Sequence, residues 1–234
     1  FMGEVVETGP DVRNLKPLLL TKDSRVTLQM TLLREDAGEW RFRVHSRPTD
    51  AADWTLHAQG RIATCSDAAE DPLPAVDEFG SQRVEGAAFY QEERERGNQW
   101  GNAFQGMAEL WMGEREALGR IVVHPSLAAD MERCLFHPAV SDACGHPLAA
   151  LVALGAQDVS RQGAFVGEGI DEVRFHGRAR GGEFWSHARL LPDEEDRTLL
   201  RGDVLTYDHE RRLIAETRGA RLRYLSGGEF ARDI

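Results

Sequence analysis

The chain has 234 residues, 41% of them hydrophobic, and carries 39 acidic against 28 basic side chains for a formal charge of -11. That apolar share supports a sizeable core in one large domain or two smaller ones, and the acidic balance excludes nucleic acid as a partner, since a polyanion demands clustered Lys and Arg. Three cysteines (Cys65, Cys134, Cys144) lack CxxC spacing, no apolar run approaches the ~18 residues of a membrane span, and the N-terminus "FMGEVVETGPDV" has neither region of a secretory signal. These features point to free thiols in a reducing, cytoplasmic setting. The abrupt start without an initiator Met reads as an excised piece of something longer.

The first 65 residues read as strands. "RVTLQMTLLRE" (25–35) sets Val26, Leu28, Met30 and Leu32 against Thr27, Gln29 and Thr31, the period-2 pattern of a half-buried strand. "EWRFRVHSR" (39–47) alternates Trp40, Phe42 and Val44 and pairs with it as a hairpin across the acids and Gly38. "DWTLHAQGRIA" (53–63) makes a third strand with Trp54, Leu56 and Ala58 on one side. No helix is expected in this part.

Residues 66–82, acidic and with two prolines, lack any period and read as an inter-domain linker. A helix over 85–97 then stops at Gly97, and two strands, 104–112 and 116–123, follow around Gly113. "HPSLAADMERCLF" is a loop with a helical turn, leading to a helix over 137–155 with Pro138 at its first turn and Gly155 at its end. Pro147 inside that helix favours a kink or a break. Strands are expected over 164–177, 183–191, 199–210 and 212–225, with "DHERR" as a hairpin turn. An antiparallel sheet around a central helix is an α+β layout.

Within the 137–155 helix, Asp142 and His146 are four apart and so share a face. Ala139, Ala143, Ala150 and Leu151 take the packing side. A carboxyl group in a dry site can stay protonated near neutral pH and donate its proton, and a histidine one turn on can orient it. The same pair can equally be a buried structural pair or a cap, because one Asp-x-x-x-His is a weak signal. His137 at the helix start reads as a structural hydrogen-bonder. His124 has no assigned role, and His176, His187 and His209 fall at surface-like positions. Cys144 and His146 are two apart and face different ways, which argues against a nucleophile pair and against a metal site built from Asp142, Cys144 and His146.

Four stretches carry a resemblance: "ERGNQWGNAFQGM" with Phe89-Tyr90 ahead of it, "HPAVSDACGH", "WTLHAQGRI" and "LLRGDVLTYDHERRLIAETRGARLRYL". In order and spacing they resemble the Gly-x-x-Tyr-Gly-Pro-x-Phe-Gln-Gly, His-Pro-x-x-x-Asp-x-x-x-Gln/His, Trp-x-x-His-Ala-x-Gly and closing Gly-Asp-Val, Asp-x-x-Gly and Gly-x-x-x-Arg patterns of the dehydratase domain of modular polyketide synthases. That family has a double hotdog fold. The resemblance implies a partial N-terminal hotdog of strands only (1–65), a linker (66–84) and a C-terminal hotdog (85–228). Asp142 would be the acid that protonates a departing β-hydroxyl, and His146 the partner that holds it. Trp100, Gly101, Phe104, Gln105, His137 and Pro138 would line the pocket.

The implied substrate is a β-hydroxyacyl chain on the phosphopantetheine arm of an acyl carrier protein, dehydrated to an α,β-unsaturated chain without cofactor or metal. Implied partners are that carrier protein, neighbouring synthase domains and a second copy in a homodimer, with no membrane. The family's basic histidine sits in His-x-x-x-Gly-x-x-x-x-Pro, which none of the eight histidines here satisfies. Either the chain starts after the first hotdog's helix, as its abrupt start favours, or this domain has lost its base. Trp100 and Asn102 also replace the family's Tyr and Pro, which would suit a variant isomerase, cyclase or product template activity. A non-catalytic structural domain is the other alternative.

Overall fold

The computed structural model describes residues 5–8, 12–18, 20, 23–35, 39–49, 51–65, 71–79, 82–155, 163–192 and 199–226. Two short strands open the chain, β1 (Val5–Thr8) and β2 (Val12–Asn14), both too short for alternation to reveal. The three alternating stretches form β3 (Val26–Arg34), β4 (Trp40–Pro48) and β5 (Thr55–Cys65). The second part holds β6 (Arg83–Glu85), helix α1 (Gly86–Arg96), β7 (Met107–Met112), β8 (Glu116–Val122), the single turn α2 (Ala128–Met131) and the long helix α3 (Pro138–Gly155). It closes with β9 (Gly163–Ile170), β10 (Glu172–Phe175), β11 (Glu183–Leu190), β12 (Leu199–Asp208) and β13 (Leu213–Ser226).

All described pairings are antiparallel and join into one sheet. β3, β4 and β5 form a meander at one end, and β13, β12, β11, β8, β7 and β6 run in that order to the other. The link between them is double: β1 lies between β5 and β10, and β2 lies between β5 and β9. The opening residues therefore stitch the two halves together through backbone hydrogen bonds. This is the double hotdog layout. Among the described residues only the second half has its central helix, α3, which packs on β8, β11, β12 and β7.

The core follows that asymmetry. Among the described residues its buried cluster is drawn from the second half alone, with Phe89, Leu110, Ile121, Phe184 and Ala150 all fully buried. The half-buried role expected of β3 is not met: Leu28, Met30 and Leu32 are 57%, 65% and 51% exposed. The register puts them opposite Ser46, Val44 and Phe42, and Phe42 and Trp40 opposite Gly60 and Ile62, so one apolar face does run across three strands. Among the described residues no helix precedes Val76 to cover that face, which is closed only toward Ser46, itself buried and bonded to His57 at 2.6 Å.

Other expectations need adjustment. The strand expected from 104 begins at Met107, because Asn102–Phe104 form a 3-10 turn. The strand expected over 164–177 divides at Asp171 into β9 and β10, where its partner β13 bends at Gly219 with φ of 60°. Pro147 does not break α3. His187 is buried, with an edge-on contact to Phe79 and a 2.8 Å bond to Glu116, and His176 bonds Glu216 at 2.6 Å, so neither is a surface group. His209 is exposed as expected.

Residues 66–70 and 80–81 of the segment read as a linker lie outside the described residues. The rest is anchored to the second half. Val76–Phe79 form a 3-10 turn that seats Phe79 on His187, and Asp71 lies 3.6 Å and 3.7 Å from Arg189 and Arg218. His187 alternates along β11 with Ser186, which bonds α3, so this segment crosses the sheet face opposite the helix. Among the described residues no helix is long and apolar enough to cross a membrane.

Candidate active site

The site is assembled where α1, the start of β7 and the middle of α3 meet. Helix α1 ends at Gly97, which takes φ of 115° and sends its N–H back to Arg94, a C-cap that only glycine adopts without strain. Its inner side presents Phe89 and Tyr90. Helix α3 starts at His137, whose carbonyl accepts the Val140 and Ser141 N–H groups while its Nδ1 accepts that of Ala139 at 3.2 Å. The imidazole thus acts as an N-cap, the structural role expected of it, with Pro138 at N1.

Asp142 and His146 follow one and two turns on. His146 Nε2 lies 3.2 Å from Asp142 Oδ2, so the spacing of four does bring the pair together. His146 is buried, whereas the Asp142 side chain is 45% exposed. The dry surroundings expected for the acid are therefore absent among the described residues: the carboxyl group sits at the solvent side of a helix whose opposite face is core. Ala139, Ala143, Ala150 and Leu151 take that core face as expected.

The His146 ring is enclosed by aromatic groups. Trp100 lies 4.6 Å away between centroids, Tyr90 stands edge-on at 5.5 Å, and Phe89 is at 6.0 Å. Gln105 Nε2 donates to the Trp100 carbonyl at 2.7 Å and fixes the chain there. The Gly101 carbonyl accepts the Phe104 N–H at 2.9 Å, closing the 3-10 turn that lies against α3, with Phe104 itself 40% exposed. Of the residues expected to line a pocket, Trp100 meets the Asp142–His146 pair directly. Gln105 acts on it through Trp100, Gly101 and Phe104 shape the adjoining turn, and His137 and Pro138 start the helix.

Tyr90 is the residue that spacing did not single out. Its hydroxyl accepts the Met107 N–H at 2.9 Å and lies 2.9 Å from His146 Nδ1. The contact spans 56 positions, beyond any local pattern. The signal in the sequence was the Phe89-Tyr90 pair ahead of the resembling stretch, in a helix otherwise rich in charge.

The buried Cys144 thiol has its pKa pushed up to about 12, chiefly by desolvation, and Ser186 donates to its backbone carbonyl. A thiol held protonated in this way is no nucleophile. Among the described residues no three His, Cys, Asp or Glu side chains converge as metal ligands would.

Comparison with known proteins agrees with this arrangement. The family model for the polyketide synthase dehydratase N-terminal domain matches residues 68–232. Polyketide synthase GfsE of Streptomyces halstedii is 31% identical over 154 residues, 63% of this chain, and GfsB of the same organism is 34% identical over 140 residues, 56% of the chain. The chain spans only 4% and 2% of those relatives' lengths. Among solved structures, the dehydratase domain from the CurJ module of curacin polyketide synthase superposes with a TM-score of 0.85 at 23% identity, over 97% of this chain and 77% of that one. GphF dehydratase 1 reaches 0.78 at 26% identity, over 96% of this chain and 77% of that one. With the double hotdog sheet and the Asp142–His146 helix already in place, the chain belongs to the polyketide synthase dehydratase family.

Proposed function

We propose that the chain works as the dehydratase unit of a modular polyketide synthase, removing water from a β-hydroxyacyl thioester carried on the phosphopantetheine arm of an acyl carrier protein. The observation that carries this reading is Asp142, held through Oδ2 by a buried imidazole while its carboxyl group faces the solvent side of α3. In the reaction a base removes the α-proton, the electron pair forms the Cα–Cβ double bond, and the Cβ–O bond breaks as Asp142 delivers its proton to the hydroxyl. The product is an α,β-unsaturated thioester and one water. Support comes from two solved structures of the CurK dehydratase, to which this chain is similar, described as inactive mutants: one an aspartate-to-asparagine exchange and one a histidine-to-phenylalanine exchange.

The base belongs, by the resemblance, to a histidine on the helix of the first hotdog. The apolar face of β3, β4 and β5, where Leu28, Met30 and Leu32 stay exposed, is where such a helix would lie. Carrier protein, neighbouring synthase domains and a second copy of the chain are the partners this reading implies. Trp100, where the family has tyrosine, sets a larger ring 4.6 Å from that of His146 and would restrict the acyl chain that fits.

A non-catalytic structural domain is the second reading. The absence of the His-x-x-x-Gly-x-x-x-x-Pro motif from these 234 residues favours it. Turnover of a β-hydroxyacyl pantetheine thioester, followed by absorbance of the conjugated product, separates the two. The first reading expects turnover by the polypeptide as encoded, with Asp142→Asn lowering kcat by about 10²-fold or more and leaving the unfolding midpoint within a few degrees. Equal rates for the two proteins would remove Asp142 from the chemistry, and no turnover by either would favour the structural domain.

A further inference from the structure

We infer that Tyr90 is a positioning residue for the acid: its hydroxyl sets the His146 tautomer, so that an Nε2–H is presented to Asp142 Oδ2 and Oδ1 is left for the substrate. This rests on the proposed role of Asp142. The argument is a count of protons. The Tyr90 oxygen already receives the Met107 N–H, and a phenol carries one proton of its own. His146 Nδ1, 2.9 Å away, is the only acceptor it meets among the described residues, so the phenol proton points there. A nitrogen that accepts is unprotonated, and in a neutral imidazole the proton then sits on the other nitrogen. That nitrogen is Nε2, 3.2 Å from the carboxylate oxygen.

The reverse tautomer is penalised twice. An Nδ1–H would turn the Tyr90 hydroxyl from donor to acceptor and leave its proton with no partner among the described residues, and a bare Nε2 lone pair would face the Asp142 oxygen. Both Tyr90 and His146 are buried, at 5% and 3% exposure, so no water competes for the bond between them, and leaving it unmade strands a buried polar group. Burial also raises the Tyr90 pKa well above its ordinary value, which keeps the hydroxyl a donor. Trp100 and Phe89, tilted against the ring at 4.6 Å and 6.0 Å, oppose rotation of the imidazole. The chain Met107 N–H, Tyr90 O–H, His146 Nε2–H, Asp142 Oδ2 therefore transmits a backbone position on β7 to the acid on α3. It acts as second-layer partners do when they orient a reacting group.

The test begins with the unmutated protein. Imidazole 15N spectra of labelled protein should show His146 with an acceptor-type Nδ1 and a protonated Nε2, and an Nδ1–H resonance would overturn the inference. Tyr90→Phe keeps the ring against Trp100 and removes only the hydroxyl. It should give averaged tautomer shifts for His146 and a kcat lowered by up to about 10²-fold with KM unchanged. Unaltered shifts and unaltered kcat in this variant would also overturn it. Tyr90→Phe additionally leaves the Met107 N–H without a partner, so His146→Gln provides a second arm. An amide offers an oxygen to Tyr90 and an N–H to Asp142, and this variant should retain activity that His146→Leu loses; equal loss in both overturns the relay. The tautomer is read without turnover, so a protein with no dehydratase activity overturns the proposed reaction and leaves the His146 proton assignment intact.

Discussion

Arg211 has φ of 65°, the one non-glycine residue with positive φ among those described. It sits in the β12–β13 hairpin, where Asp208 collects the Glu210 and Arg212 N–H groups at 2.9 Å and 3.0 Å and the Arg212 guanidinium at 2.7 Å. Burial works against the Asp208 carboxylate, yet these bonds hold its pKa below the ordinary range. The turn geometry is thus set by Asp208, and Arg211 must follow it into the left-handed region. The closing Asp-x-x-Gly pattern that this tail resembles has glycine at the position Arg211 occupies. A left-handed conformation costs an L-residue about 1–2 kcal/mol, and glycine returns about 0.5–1 kcal/mol of that in unfolded-state entropy. Arg211→Gly should therefore stabilise the protein by up to about 1 kcal/mol, seen as a higher urea midpoint at unchanged slope. A lower midpoint would mean that the exposed Arg211 side chain makes a contact worth more than the strain. At this scale the sequence shows spacing but not environment. Four residues suffice to bring Asp142 and His146 together, whereas the exposure of one and burial of the other depend on Tyr90 and Trp100, 52 and 42 positions before Asp142.

At the level of elements, α3 shows why a proline that reads as a breaker can sit inside a helix. Pro147 is fully buried against Gly119 on β8, where an added Cβ would come within 2.6 Å of the ring. Proline removes the N–H that would bond the Ala143 carbonyl, and the Ser186 hydroxyl bonds the adjacent Cys144 carbonyl, so the sheet ties down the helix next to the weakened place. Gly119→Ala should cost about 1–3 kcal/mol by overpacking this contact. Adding Pro147→Ala should relieve it: the double variant should be more stable than the sum of the singles implies, by about 0.5–3 kcal/mol in a denaturation cycle. Strict additivity would show that the two groups do not press on each other. Periodicity located β3, β4, β5, β11, β12 and β13 because each is long and alternates. It could not place β1 and β2, of four and three residues, which exist only because β5, β9 and β10 offer them partners. Nor could it see the break at Asp171, which follows a bend in another strand at Gly219, where the Asp171 side chain fills the space a Cβ would need.

For the whole molecule, alternation tells which side chains share a face and leaves open what covers it. The apolar pattern of β3 is correct as a face, and Leu28, Met30 and Leu32 do line up with Val44 and Phe42 across the register. The second half covers its equivalent face with α3 and buries Leu110, Ile121 and Phe184 completely. The first half is attached through β1 and β2 and, among the described residues, adds no member to the buried core cluster, so stability should be concentrated in the second. Leu110→Ala should cost about 2–5 kcal/mol, as deletion from a filled core does. Leu28→Thr and Leu32→Thr, which keep a strand-favouring side chain at positions more than half exposed, should each stay within about 0.5 kcal/mol. Urea titration of the purified variants measures both. A loss from Leu28→Thr that approaches the Leu110→Ala value would mean that the β3 face is covered in solution, and would make the first half a contributor to the core instead of an appendage to it.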